Sequence, residues 1–404
     1  MAHIKPFKAF FYNKDIVEDL NNVITQPYDE ITLKMEEEYR KKSPFNVIRI
    51  IKGNFEESGR LFNNWIEKGI LIQDTEPCIY AYDRFYSYRG ELKVQRGFIA
   101  LGRLSPYSVN EVRPHEKTFP EPVKMQFKLL KTTNAHFGSI FMLYKDEKFL
   151  IESLFEPFKK LAPFIEVKDY YGNIHKVWRI NNKKIISEVR VIMKGKYLII
   201  ADGHHRYEAA LQYAKYKKFE EPFNYRMMTF VNVASEESIT ILPIYRIIKM
   251  AYERDFMIKQ LSLFFDLYKK PIEELRKNFY PDGFGVYFGD DFYFAMKIKE
   301  RGFIESALKV LPFFYRNLNT VILHKFVFPL LNVNNSISYE TNLENAIKKA
   351  KENKKILFIM KPPNIKEIEY VTENGMLMPK KSTNFYPKLL TGLTINHIQM
   401  FHKI

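Results

Sequence analysis

Apolar positions along this chain fall into short runs whose spacing changes from stretch to stretch, and the changes predict its elements. Residues 78–90, CIYAYDRFYSYRG, alternate Tyr and Phe with polar residues and stop at Gly90. That pattern predicts half a β-hairpin, with 94–104, VQRGFIALGRL, as the return strand. Just before it, SGRLFNNWIEKGIL sets Leu61, Trp65 and Ile66 at helical spacing and ends at Gly69. VKMQFKLLKTTNAHF reads as a helix, SIFMLYK as a strand, 149–162 as a helix and HKVWRI as a strand. KKIISEVRVIMKGK reads as a helix stopping at Gly195. The strand YLIIA, a helix from about Arg206 and the buried strand YRMMTFVNV follow. A boundary is expected within 235–250. Beyond it, FGVYFGDDFYFAMKI and AIKKAKENKKILFIMKPP predict a second α/β region. The alternation predicts a mixed α/β (α+β) fold. Its expected parts are a domain over 1–240 and a smaller α/β domain over 241–404 with a Lys- and Pro-rich tail.

Length and composition narrow the class. A chain of 404 residues exceeds one ordinary core. No run approaches the roughly 18 consecutive apolar residues of a membrane helix. The start, MAHIKPFKAFFYNKD, lacks the features of a secretory signal. The single cysteine, Cys78, excludes a disulfide framework. A cytoplasmic protein is expected. The net charge of +16 would suit a polyanionic partner such as nucleic acid. The lysines are spread and mixed with Glu and Ile, as in NAIKKAKENKKILFIM, which favours a solvated basic surface over a nucleic-acid groove.

The chemistry concentrates in YLIIADGHHRYEAALQYA, 197–214, where an apolar strand runs through Asp-Gly-His-His-Arg straight into a helix. Gly203 permits a sharp turn whose amides can face an anion. The helix start adds unsatisfied N–H groups and the positive end of a dipole. Arg206 brings a planar fork suited to phosphate oxygens, and His204 and His205 bring further donors. Asp202 would cap the helix, orient a histidine or hold magnesium beside a phosphate. A merely well-capped helix is the plainer alternative. The convergence of these residues on one helix start favours an anion or nucleotide-phosphate site.

DGHHRYEAA resembles the phosphate-binding box of the ParB/sulfiredoxin superfamily, and more closely the DGHHR of its archaeal free-serine kinases. The whole chain resembles the family called domain of unknown function 1015. The matching pieces are IKPF at 4–7, PYDEI at 27–31, NVIR at 46–49, RGFIALGRL at 96–104, RPHEKT at 113–118, ADGHHRYEAAL at 201–211 and MPKKSTNFYPKLLTGL at 378–393. The resemblance implies a ParB/sulfiredoxin-like N-terminal domain with an N-terminal extension and inserted helices over 120–190. It implies that Asp202, Gly203, His204, His205 and Arg206 hold the phosphates of ATP or ADP, or of CTP, with magnesium. Sulfiredoxin chemistry needs a cysteine where this box has histidine. The Pro-His-Glu of the serine kinases, carried over, makes Glu116 the catalytic base, with His115 beside it. A serine hydroxyl is a poor nucleophile near pH 7, so a carboxylate must accept its proton. An ordinary charged loop is the alternative reading of RPHEKT.

Other residues are weaker candidates. Lys380, Lys381, Ser382, Thr383 and Lys388 in PKKSTNFYPK would close over an anionic ligand, or form a solvated loop. Asp29 and Glu30 in PYDEI would bind metal or substrate, or serve a turn. His136 stands where the resembled family has asparagine, and Ile244 and Tyr245 where it has Thr-His, so no role is assigned there. The expected function is a nucleotide-dependent phosphotransferase acting on a small hydroxyl compound, serine first. The alternatives are a ParB-like nucleotide-controlled nucleic-acid-binding protein, without a visible helix-turn-helix, and a non-catalytic nucleotide or metabolite sensor.

Overall fold

The computed structural model describes residues 2–234, 239–249, 253–277, 281, 283–333, 337–352 and 355–398. Residues 235–238 and 250, in the stretch expected to hold a boundary, lie outside the described residues. The fold is mixed α/β, as the alternation of patterns leads one to expect. The chain forms two compact units, Met1–Pro114 with Thr118–Ile239 and Pro387–Ile404, and His115–Lys117 with Thr240–Tyr386. A single cut at 240/241 therefore misassigns two pieces. The tail strand Thr391–His397 pairs with Phe10 and with Ala135–Gly138, all in the first unit. Conversely, His115–Lys117 groups with the second unit.

In the first unit a nine-stranded sheet runs in the order 112–113, 198–202, 140–144, 225–232, 91–103, 79–88, 174–180, 165–168, with 4–5 also on strand 91–103. The expected hairpin is its longest antiparallel pair, Ile79–Tyr88 against Glu91–Arg103, turning at Gly90 in the left-handed region (φ 81°). Phe98 and Phe230 stack at 5.0 Å across the neighbouring pair and sit in one core with Phe155, Met193 and Tyr207. Burying each such ring stabilises by about 1.5–3 kcal/mol. Residues 120–190 are not a helical insert alone. Helices Pro120–Thr133, Leu150–Lys159 and Lys183–Lys194 alternate there with strands Ala135–Gly138, Ile140–Tyr144, Ile165–Lys168 and Ile174–Ile180. The apolar runs FMLY and VWRI bury as sheet, whereas KKIISEVRVIMK buries Ile186, Val189 and Met193 on one helical face.

The second unit is built on a six-stranded antiparallel sheet, ordered 265–271, 292–298, 284–287, 355–360, 245–249, 337–340. Its two faces carry separate cores. Ile248 and Phe358 face one, and Ile247, Leu357 and Ile359 the other, as period-two alternation requires. A two-stranded piece, Thr240–Ile241 with Phe385–Tyr386, closes the unit's chain ends.

Candidate functional site

The strand Leu198–Asp202 is buried through Ala201, and its register against 140–144 shifts between Ile200 and Asp202. Such a bulge re-aims the residue that follows, here the Asp202 side chain. Gly203 adopts φ +93°, and a helix starts at once at His204, two residues earlier than the sequence predicts. The left-handed glycine itself is the cap, so no turn is needed before the helix. A β-carbon on Gly203 would stand 2.9–3.0 Å from the Arg206 guanidinium, which keeps the position for glycine.

Arg206 is turned inward. It is 5% exposed, its Nη1 donates to Ser139 O (2.6 Å) and its Nη2 to Asp202 Oδ2 (3.0 Å). The fork expected to grip phosphate is thus taken by the protein, and Arg206 sets the turn instead. Asp202 also meets Lys388, whose Nζ lies 3.6 Å from Asp202 Oδ1 and 3.2 Å from Glu30 Oε1. Burial works against the Lys388 charge, but Asp202, Glu30 and Asp29 outweigh it and hold its pKa above the ordinary lysine value. Arg84, 1% exposed, donates to Pro387 O (2.7 Å) and so fastens the residue before Lys388. Burial pushes the Arg84 guanidinium down to about 10, against the opposing pull of Tyr82, Tyr86 and Asp202.

The histidines of the turn differ from the expectation too. His204 is 8% exposed. His205 Nε2 accepts from the amide of Phe119 (3.0 Å), the residue before helix Pro120–Thr133, and its ring stacks on Phe119. A nitrogen that accepts this hydrogen bond cannot donate to phosphate, so His205 ties two helix starts together. Backbone amides at a helix start have no acceptor within the helix, which suits such a junction to an anion. Beside the same two helices lies a groove of about 440 Å³, lined by Thr118, Lys124, Phe127, Glu208 and Gln212 among others. That is the size range of small-ligand sites.

The remaining candidates lie in the second unit. His115 is wholly buried, its Nε2 is 2.7 Å from Thr383 Oγ1, and its carbonyl accepts from Met378 N (2.8 Å). It therefore anchors a loop and does not meet a ligand. Glu116 Oε1 accepts from the amides of Ser382 (2.8 Å) and Thr383 (3.4 Å). Arg246, 1% exposed, donates to Lys381 O (2.9 Å) and holds the same loop, in which Lys381 is left-handed (φ 57°). Burial lowers the Arg246 pKa to about 10, with Tyr339 and Glu116 opposing. Lys380 and Lys381 are exposed and Ser382 is buried. The PKKST run and Lys388, expected to close together, thus belong to different units.

Among the described residues no group of three His, Cys, Asp or Glu side chains could hold a metal ion, and Asp202 and Glu30 are taken by cations. No described helix is long and apolar enough to cross a membrane. Two contributors escaped the sequence reading. Arg84 gives no local signal. The Asp202–Arg206 pair does, because residues four apart on a helix start can bridge.

Residues 4–321 match the family model described as protein of unknown function (DUF1015). The chain belongs to that family. No curated protein matches it in sequence. Among solved structures, a free serine kinase in complex with AMP is 12% identical, with 70% of this chain and 88% of that one covered and a TM-score of 0.34. SbnI with a C-terminal truncation, from Staphylococcus aureus, is 12% identical over 72% and 85% with a TM-score of 0.38. A conserved hypothetical protein from Pyrococcus furiosus is 12% identical over 74% and 94% with a TM-score of 0.33. Likenesses this distant leave the family's activity to be argued from side chains.

Proposed function

We propose that this chain is a nucleotide-dependent phosphotransferase acting on a small hydroxyl compound, with nucleotide phosphates at the 202–205 turn and Glu116 as the proton acceptor. The observation that carries the reading is the junction itself: a bulged strand, a left-handed Gly203 and a helix beginning at His204. A helix start so placed favours an anion through the positive end of its dipole and the direction of its backbone amides. The likeness of ADGHHRYEAA to a phosphate-binding box supports the same reading. ATP, ADP and CTP are the nucleotides to try, and serine the first acceptor.

In the reaction, the acceptor oxygen forms a bond to the terminal phosphorus, and the bond from that phosphorus to the nucleotide's bridging oxygen breaks. The hydroxyl proton passes to a carboxylate. Glu116 suits that task because backbone amides orient one oxygen while Oε2 takes no hydrogen bond among the described residues. The test is calorimetric titration with ATP, ADP and CTP, magnesium present, for wild type and Gly203→Ala. Binding of one nucleotide that the variant loses supports the turn. Failure of all three to bind sinks the reading.

A further inference from the structure

A cavity of about 40 Å³ lies within the first unit, lined by Tyr28, Gln126, Phe137, Arg206, Arg226 and Thr391 among others. Arg226 is the one cation in the buried strand YRMMTFVN and is 6% exposed. Its Nη2 donates to Gly138 O (2.9 Å), while its Nη1 has no hydrogen-bond partner. Arg206 Nε and the Tyr28 hydroxyl are likewise buried and unpartnered. Among the described residues no carboxylate answers Arg226; the charge acting on it is Arg206, a like charge, and burial with that neighbour holds its pKa well below the arginine value. An arginine does not escape by losing its proton in a protein. A buried guanidinium with spare donors and no counter-charge is costly unless an anion completes it.

The cavity's size selects the anion. A water needs roughly 10–15 Å³ of such space, so this one takes about three heavy atoms. A carboxylate fits and a phosphate group does not. Planar guanidinium groups favour planar carboxylates, which accept from two N–H groups at once. We infer that this cavity binds a small carboxylate between Arg226, Arg206 and Tyr28, beside the turn that Arg206 sets, an inference that does not need the phosphotransferase reading.

Thermal unfolding of the full chain tests it, with formate, acetate, serine, chloride or phosphate added at constant ionic strength against a bulky sulfonate. For wild type, formate or acetate raises the midpoint saturably by roughly 5–10 °C. A response to serine without one to formate or acetate points to the acceptor of the proposed reaction and overturns the inference. Arg226→Met, neutral and of similar length, removes the response and is itself no less stable without carboxylate. Tyr28→Phe retains the fold and raises the half-saturating concentration about tenfold. An equal response in Arg226→Met, a chloride response as large as that to formate, or a response to phosphate alone overturns the inference.

Discussion

Two carboxylates from the same short list of candidates are treated in opposite ways. Asp202 is clamped between cations, Arg206 at 3.0 Å and Lys388 at 3.6 Å. Glu116 accepts from two backbone amides on one oxygen and feels the Arg246 charge without a direct ion pair. A carboxylate paired with two cations is fixed in place by them. The contrast teaches that motif membership does not fix a setting: Asp202 is ion-paired, and Glu116 is hydrogen-bonded to a loop backbone.

The strongest way to break the comparison is to neutralise the ion-paired carboxylate. Asp202→Asn leaves the buried Arg206 without its carboxylate and weakens the hold on Lys388, which keeps Glu30; it is expected to cost about 3–5 kcal/mol of stability, read by urea unfolding. A loss under about 1 kcal/mol would mean the clamp is ornamental. Glu116→Gln, by contrast, keeps an oxygen for the Ser382 amide. Stability is expected to move by no more than about 0.5 kcal/mol, while turnover falls about 10²–10⁴-fold with nucleotide affinity unchanged. Unaltered turnover would remove Glu116 from the reaction.

Gly203→Ala sharpens the account of the turn. The positive φ and the approach to Arg206 together predict a cost of about 1–3 kcal/mol, and a smaller loss would show that the guanidinium yields easily. The gentlest probe is pH. Burial holds His136 and, against the opposing pull of Asp169, His175 below the ordinary histidine value in the fold. The unfolded chain then binds more protons below about pH 6.5, and stability falls on acidification by up to about 1.4 kcal/mol per pH unit for each histidine. Urea midpoints at pH 7, 6 and 5 check this. A flat profile would show that these rings are charged in the fold or that their burial is lost.

Local features were legible in the sequence, and pairings between distant residues were not. Tyr and Phe alternation revealed the hairpin 79–103, and Gly69 ends its helix with φ +67° as a stop should. The DGHHR junction was legible as a strand-to-helix turn, but the inward course of Arg206 was not. Its partners Ser139 and Asp202 differ in that the second lies four residues away and was readable, while the first sits far off in sequence between the strands Ala135–Gly138 and Ile140–Tyr144. Lys388 reads as part of a basic tail and instead joins Glu30, because sheet pairing of Thr391–His397 carries its neighbourhood into the first unit. Arg226 did offer a signal, a cation within an apolar run, which a buried strand tolerates only with an answer to its charge.

The interleaved membership of the two units has a consequence for dissection. Cleavage or truncation at residue 240 does not deliver either unit whole. The N-terminal fragment loses the strand Thr391–His397, along with Lys388 and the carbonyl that Arg84 holds. The C-terminal fragment loses His115 and Glu116, and with them the bonds to Ser382 and Thr383. Each half is therefore expected to regain its structure only when the missing peptide is supplied alongside it, so that two separately made fragments would complement one another and neither would serve alone.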